Sequence, residues 1–217
     1  MITLALDTST PRGSVALLRD DSVLAETAFT RDRSGDQLFP TITTQLSQHK
    51  LTGSDISRIV VGTGPGSFTG IRAGIAAAKG LALPRNTSVV GVPSYDAIAL
   101  AAADCIPKDC VEICVIGDAR RDEIYFAVYN RSGRNTQPCR IGSLETLPDL
   151  IHNPIWFISS EIEMFADDLK TLMGGFAVVD TESRFPSAST IGILAQQSSA
   201  PPEPIYLREP QYTKTQP

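Results

Sequence analysis

"GTGPGSFTGIRAG", residues 62–74, sets five glycines in thirteen positions and runs straight into "IAAAKGLAL". A stretch of this kind reads first as a phosphate cradle, and two motifs test that reading. A P-loop ends in Gly-Lys-Ser/Thr, so that the lysine reaches the phosphates and the hydroxyl holds Mg²⁺; here Gly70 is followed by Ile71 and Arg72. A dinucleotide fingerprint needs a third glycine and an acid about twenty residues later. After Gly64 and Gly66 the third position is Thr69, and the next strand ends in "GVPS". Both motifs fail, leaving a strand-to-helix turn, "TGPGS", whose glycines permit unusual backbone angles and whose Ser67 can cap the helix that follows.

The helix is the more informative part. At about 100° per residue, Gly70, Ala73, Gly74, Ala77, Gly80 and Leu81 share one face, Ile71, Ile75, Ala78 and Ala82 an adjoining one, and Arg72 and Lys79 lie opposite the small residues. A glycine inside a helix costs about 1 kcal/mol relative to alanine. The return is close approach of another backbone, nearer than the usual helix spacing of about 8–10 Å. The neighbour is either this chain's own core or another subunit; the pattern leaves both open.

Working outward, "ITLALD", "GSVALLR" and "VLAETAF" are strand-length apolar runs with brief polar breaks, which predicts an antiparallel meander. Leu38, Ile42 and Leu46 then recur every four residues, the mark of an amphipathic helix, with Asp36 as its cap and Pro40 in its first turn. Adding "RIVVGTG", the glycine-rich helix, "SVVGV" and "SYDAIALAAADCI", the first half reads βββαβαβα. The second half opens with "VEICVIGDARRDEIYFAVYNRSGR", another strand, aspartate, turn and returning strand. Asp7 and Asp118 are 111 positions apart, about half the chain, which suggests an internal duplication. There follow a strand near Cys139, a helix around "SLETLPDLI", the strand "IWFIS", a helix from Glu161 to Met173, the strand "FAVVD" and the helix "SASTIGILAQQ". This order predicts an α/β protein with mixed sheets flanked by helices. The expected division is a first lobe over 1–104, a smaller second lobe over 105–188, and a C-terminal helix and extended tail over 189–217 that packs back on the first lobe.

An aspartate closing the first strand is where actin-like and sugar-kinase ATPases place a phosphate loop. Asp7, Thr8, Ser9, Gly64 and Gly66 are therefore the candidate nucleotide contacts. Thr8, Ser9 and Thr10 stand where such loops carry a glycine, so a turn satisfied by its own hydroxyls is the competing reading. For Asp118, "DARRDE" reads equally as a charged hairpin tip with internal ion pairs. Other chemistries lack their residues. The two histidines, His49 and His152, are 103 positions apart, which excludes a helical pair of metal ligands, and no metal site is expected. Ser67 is followed by Phe68, so there is no nucleophile elbow. Asp167 and Asp168 read as a solvated helix face rather than an acid/base pair.

The net charge of −5 falls wholly in the second half, with nine basic and nine acidic residues up to Asp104 but ten against fifteen beyond it. Such a balance exerts no long-range pull on phosphate backbones, so tight binding of nucleic acid by this chain alone is not expected. An opening apolar run of six residues is too short for a secretory signal, no run reaches membrane length, and the four cysteines form no CxxC pair. A cytoplasmic protein with reduced, core-forming thiols is expected. At 217 residues, about 70% of the unfolded surface can be buried, enough for a real core.

With these residues assembled, the sequence resembles the TsaB (YeaZ) family of bacterial tRNA threonylcarbamoyladenosine biosynthesis subunits. The segments that carry the resemblance are "LALDTST…SVALL", "GTGPGSFTGIRAGIAAAKGLAL", "VVGVPSYDAIA", "DARRDEIYFAVY" and "PIYLREPQY", in the family's order along essentially the whole chain. One departure is that Ser34 and Gly35 stand where the family commonly carries His-Ser. The resemblance implies an actin-like, RNase H-like fold in two lobes. It implies a non-catalytic role beside a larger, metal-bearing paralogue (TsaD type) that modifies the adenosine next to the anticodon, joined by an ATPase subunit (TsaE type). It also implies docking through the first two helices, carried here by Leu38, Ile42 and Leu46 and by Gly70, Ala73, Gly74, Ala77 and Leu81. On this reading tRNA is met only through the complex, ATP is confined to a surface between subunits, and the free chain can pair with itself. The competing functions are an ATP-dependent phosphotransferase of the actin-like class and, with least support from the residues, a peptidase.

Overall fold

The computed structural model describes residues 1–30, 37–197 and 200–208. Three antiparallel strands, β1 (Ile2–Asp7), β2 (Arg12–Arg19) and β3 (Ser22–Thr30), form the expected meander. Helix α1 (Leu38–Gln48) leads to β4 (Ile56–Gly62), α2 (Phe68–Ala82) to β5 (Ser88–Val92), and α3 (Ser94–Ala102) closes the first half. β4 lies parallel to β1 and β5 parallel to β4, giving the order β3-β2-β1-β4-β5.

The second half repeats this plan. β6 (Glu112–Arg120), β7 (Glu123–Asn130) and β8 (Asn135–Gly142) run antiparallel, and β9 (Ile155–Ser159) and β10 (Ala177–Val179) add in parallel, so the order β8-β7-β6-β9-β10 matches the first sheet strand for strand. Asp7 ends β1 and Asp118 lies near the end of β6, its counterpart. Short α4 (Leu147–Leu150) and α5 (Ala166–Met173) cover one face of this sheet. The helix expected from Glu161 is shorter: a 3-10 turn spans Ile162–Met164, and α5 starts only at Ala166. Ile162 and Phe165 are both buried, and a 3-10 turn stacks residues three apart on one side where an α-helix would splay them.

Period-two alternation distributes the core. Leu4 and Leu6 of β1 face α1 and α2 together with Leu38, Ile42, Ile71 and Ile75, while Ala5 faces the opposite layer with Ala97, Ala188 and Ile191. That opposite layer is α6 (Ala188–Leu194), capped by the Ser187 hydroxyl, which lies across the first sheet rather than the second. Helix α3 serves both lobes. Its Ala97 packs with the first sheet, whereas Tyr95, Ile98, Ala99 and Ala102 pack with Ile113, Val115, Tyr129 and Trp156 of the second. After α6 the chain covers the outer edge of β5, where Gly91 N–H donates to Ala200 O (2.9 Å), and Ile205 N–H then donates to Thr63 O (3.0 Å). The first of these bonds satisfies one backbone donor on the open edge of the sheet.

Candidate functional site

The aspartate turn and the glycine-rich turn meet at the top of the first sheet. Asp7 is fully buried. Its Oδ1 accepts from the Ser9 N–H (2.8 Å) and hydroxyl (2.7 Å), and its Oδ2 from the Ser94 hydroxyl (2.6 Å). A buried carboxylate is tolerated only with such donors around it. Ser94, at the start of α3, also accepts from Gly64 N–H (3.1 Å) and donates its own N–H to Gly64 O (2.8 Å), so one serine ties β1, the glycine turn and α3 together. Gly64 holds φ at +90°, which a side chain would oppose.

The next residues face inward as well. The Thr8 hydroxyl donates to Gly70 O (2.7 Å) and Ser67 N–H to Ser9 O (2.7 Å). A Cβ on Gly74 would run into Thr8 Oγ1, and one on Gly66 into Ser9 O. The return for these glycines is therefore close contact within the chain itself: the first turn of α2 is seated on the Asp7 turn. Ser67 caps α2 as the sequence suggests, accepting from Gly70 N–H (3.2 Å).

The residues expected at a docking surface lie in unlike surroundings. Gly70, Gly74 and Ala77 are buried against the chain's own core, as are Leu38 and Ile42, with Leu46 half-buried beside them. Of the eight residues expected at a partner surface, only Ala73 is exposed, while Leu81 is half-buried. Gly80, on the same predicted face, looks into open space. The helical face turned outward on α2 shares only Ala73 and Gly80 with the predicted one and otherwise bears Phe68, Arg72, Ala76 and Lys79, and on α1 it bears Phe39 and Thr43. Ser34 and Gly35 lie outside the described residues, as does the expected cap Asp36.

Between the lobes lies a cleft of about 620 Å³, lined on one side by Ser9, Ser67 and Thr69 and on the other by Asp118, Glu161 and Arg208. Its charges are largely paired. Asp118 Oδ2 meets Arg120 (2.7 Å), as the hairpin-tip reading expects, and Arg208 pairs with Glu123. Tyr95 projects toward Gly117 at the floor, and burial first, then the neighbouring Cys139 and Glu161, push its hydroxyl well above the usual tyrosine range, so it keeps its proton at neutral pH. No group of three or more His, Cys, Asp or Glu side chains suited to a metal occurs among the described residues. Sequence reasoning missed Ser94, although a serine opening a helix straight after a strand is a recognisable signal. It also missed a cluster of Phe68, Arg72 and Tyr206, because Tyr206 lies 134 positions from Arg72.

Two lobes repeating one strand order about a shared cleft define the class, an actin-like, RNase H-like fold. An inorganic polyphosphate/ATP-glucomannokinase from Arthrobacter sp. strain KM shares that fold at a TM-score of 0.53 and 11% identity, over 91% of this chain and 99% of its own. YeaZ from Pseudomonas aeruginosa agrees more fully, with a TM-score of 0.73 and 25% identity over 91% of this chain and 92% of its own. Residues 29–143 match the family described as "TsaD: tRNA N6-adenosine threonylcarbamoyltransferase". The tRNA threonylcarbamoyladenosine biosynthesis protein TsaB of Escherichia coli K12 is 28% identical over 218 residues, covering 94% of each chain. The chain belongs to the TsaB (YeaZ) family.

Proposed function

We propose that this chain takes part in forming threonylcarbamoyladenosine in tRNA as a non-catalytic subunit that docks and supports a larger, metal-bearing paralogue of TsaD type. The observation that carries the reading is the state of the Asp7 turn. Both carboxylate oxygens accept from Ser9 and Ser94, Thr8 is spent on Gly70, and the backbone of Ser9 is closed against Gly66 and Ser67, so the groups that would cradle phosphate are engaged with one another. The reactive machinery then belongs to the paralogue, with a TsaE-type ATPase as third member and ATP held between subunits. A net charge of −5 favours contact with tRNA through the complex rather than by this chain alone.

The docking surface is the outer face of α1 and α2. The test is co-purification with the paralogue from the same genome, comparing the parent with Ala76→Glu, which sets a charge on an exposed small residue and leaves the core untouched. Loss of association by the folded variant is expected; undiminished association would move docking to another surface. Phosphate release from ATP by the isolated parent chain, above a no-protein control, would replace this reading with the phosphotransferase one.

A further inference from the structure

We infer that the C-terminal segment completes the docking face: Tyr206 and Phe68 hold the Arg72 guanidinium as a pre-set anchor for a carboxylate on an acidic surface of the protein partner. The inference rests on the proposed docking role and adds the residue that recognises the partner and the chemistry it recognises. Arg72 Nε donates to the Tyr206 hydroxyl (2.7 Å), and the guanidinium carbon stands 3.8 Å from the centre of the Phe68 ring and 5.5 Å from that of Tyr206. The two rings are 5.9 Å apart and tilted by 40°, and both remain about half exposed, Phe68 at 57% and Tyr206 at 50%. Two large aromatic side chains and an arginine, gathered on the surface from segments far apart in sequence, have the composition of an interface anchor.

Charge points to the occupant. The helix α2, "FTGIRAGIAAAKGLA", carries Arg72 and Lys79 and no acid, in a chain whose net charge is −5. Among the described residues no carboxylate pairs with Arg72, although Asp118, Glu123 and Asp180 each have an arginine partner. With Nε engaged by Tyr206 and the plane fixed by the rings, the outer guanidinium nitrogens are left to face a carboxylate in a two-point contact. Holding the side chain in advance removes part of the ordering cost that an arginine otherwise meets on binding. The exposed Ala73 and Ala76 beside it let an opposing helix come close enough to make that contact. A single such cation offers little to a polyanionic backbone, which favours a protein acid over nucleic acid here.

The experiment measures the dissociation constant for the purified paralogue at low and high NaCl, using the full chain and its Arg72→Met, Tyr206→Ala and Ala76→Glu variants, each checked for an unchanged melting temperature. Expected are at least a tenfold weakening by Arg72→Met, a smaller one by Tyr206→Ala, and a salt dependence reduced when Arg72 is gone. If Ala76→Glu abolishes binding while Arg72→Met and Tyr206→Ala bind as the parent does, the anchor is refuted and the docking reading stands. If neither Ala76→Glu nor Arg72→Met alters the affinity, both fall. Binding of tRNA by the isolated chain that disappears with Arg72→Met would overturn the assignment to a protein acid.

Discussion

Gly74 and Gly80 lie on one helix and have opposite surroundings. A methyl on Gly74 meets the Thr8 hydroxyl, which is already committed to Gly70 O, and the Leu6 side chain at 3.3 Å. One on Gly80 meets nothing within 4 Å. Gly74→Ala is therefore expected to destabilise by about 1–3 kcal/mol, the usual cost of overpacking, and Gly80→Ala to stabilise by about 0.5–1 kcal/mol through lost freedom of the unfolded chain. Urea titrations of the two variants decide this, and a common sign would contradict the packing described. Asp96 supplies a second test. Burial raises its carboxyl above the ordinary value of 3.8, partly opposed by the hydrogen bond it accepts from Tyr129 (2.8 Å). A folded state that binds the proton more tightly than the unfolded chain loses stability as pH rises from 3.8 through the raised value, and carries the whole penalty at neutrality. Asp96→Asn, whose Oδ1 still accepts from Tyr129, should melt above the parent at neutral pH, with the gap closing as the solution is acidified.

At the level of elements, periodicity located nearly every strand and helix but could not say which side of a small-residue helix is covered. Leu38, Ile42 and Leu46 fall four apart because they line the chain's own core, and α2 turns Gly70, Gly74 and Ala77 the same way. Both a core face and an interface select apolar or small side chains, so pattern alone does not separate them. The polar side of α2 was the informative one, since Arg72 marks its solvent face in sequence and structure alike. What sequence could not supply were long-range partners: Ser94 beneath Asp7 and Tyr206 beside Arg72 are 87 and 134 positions away. The shortening of α5 was hidden for another reason, because Ile162 and Phe165 suit either helix type until the sheet beneath fixes their spacing.

Across the whole molecule, α3 makes the lobes share a core. One helix contributes Ala97 to the first sheet's layer and Tyr95, Ile98, Ala99 and Ala102 to the second's, and Arg208 of the tail pairs with Glu123 at the start of β7. The lobes are therefore expected to unfold together. Trp156, the sole tryptophan, sits in the second lobe, so its fluorescence should lose intensity over the same denaturant range as the far-ultraviolet circular dichroism of the whole chain. Two separated transitions would mean that α3 does not couple them.

The thiols carry a further consequence. No cysteine occurs before residue 105, Cys105 is exposed, Cys110 and Cys114 are buried, and burial pushes the Cys139 thiol up to about 12. Alkylation followed by mass spectrometry thus labels the native chain quickly at a single position, and every additional adduct records an opening of the second lobe, a chemical clock to which the first lobe is silent.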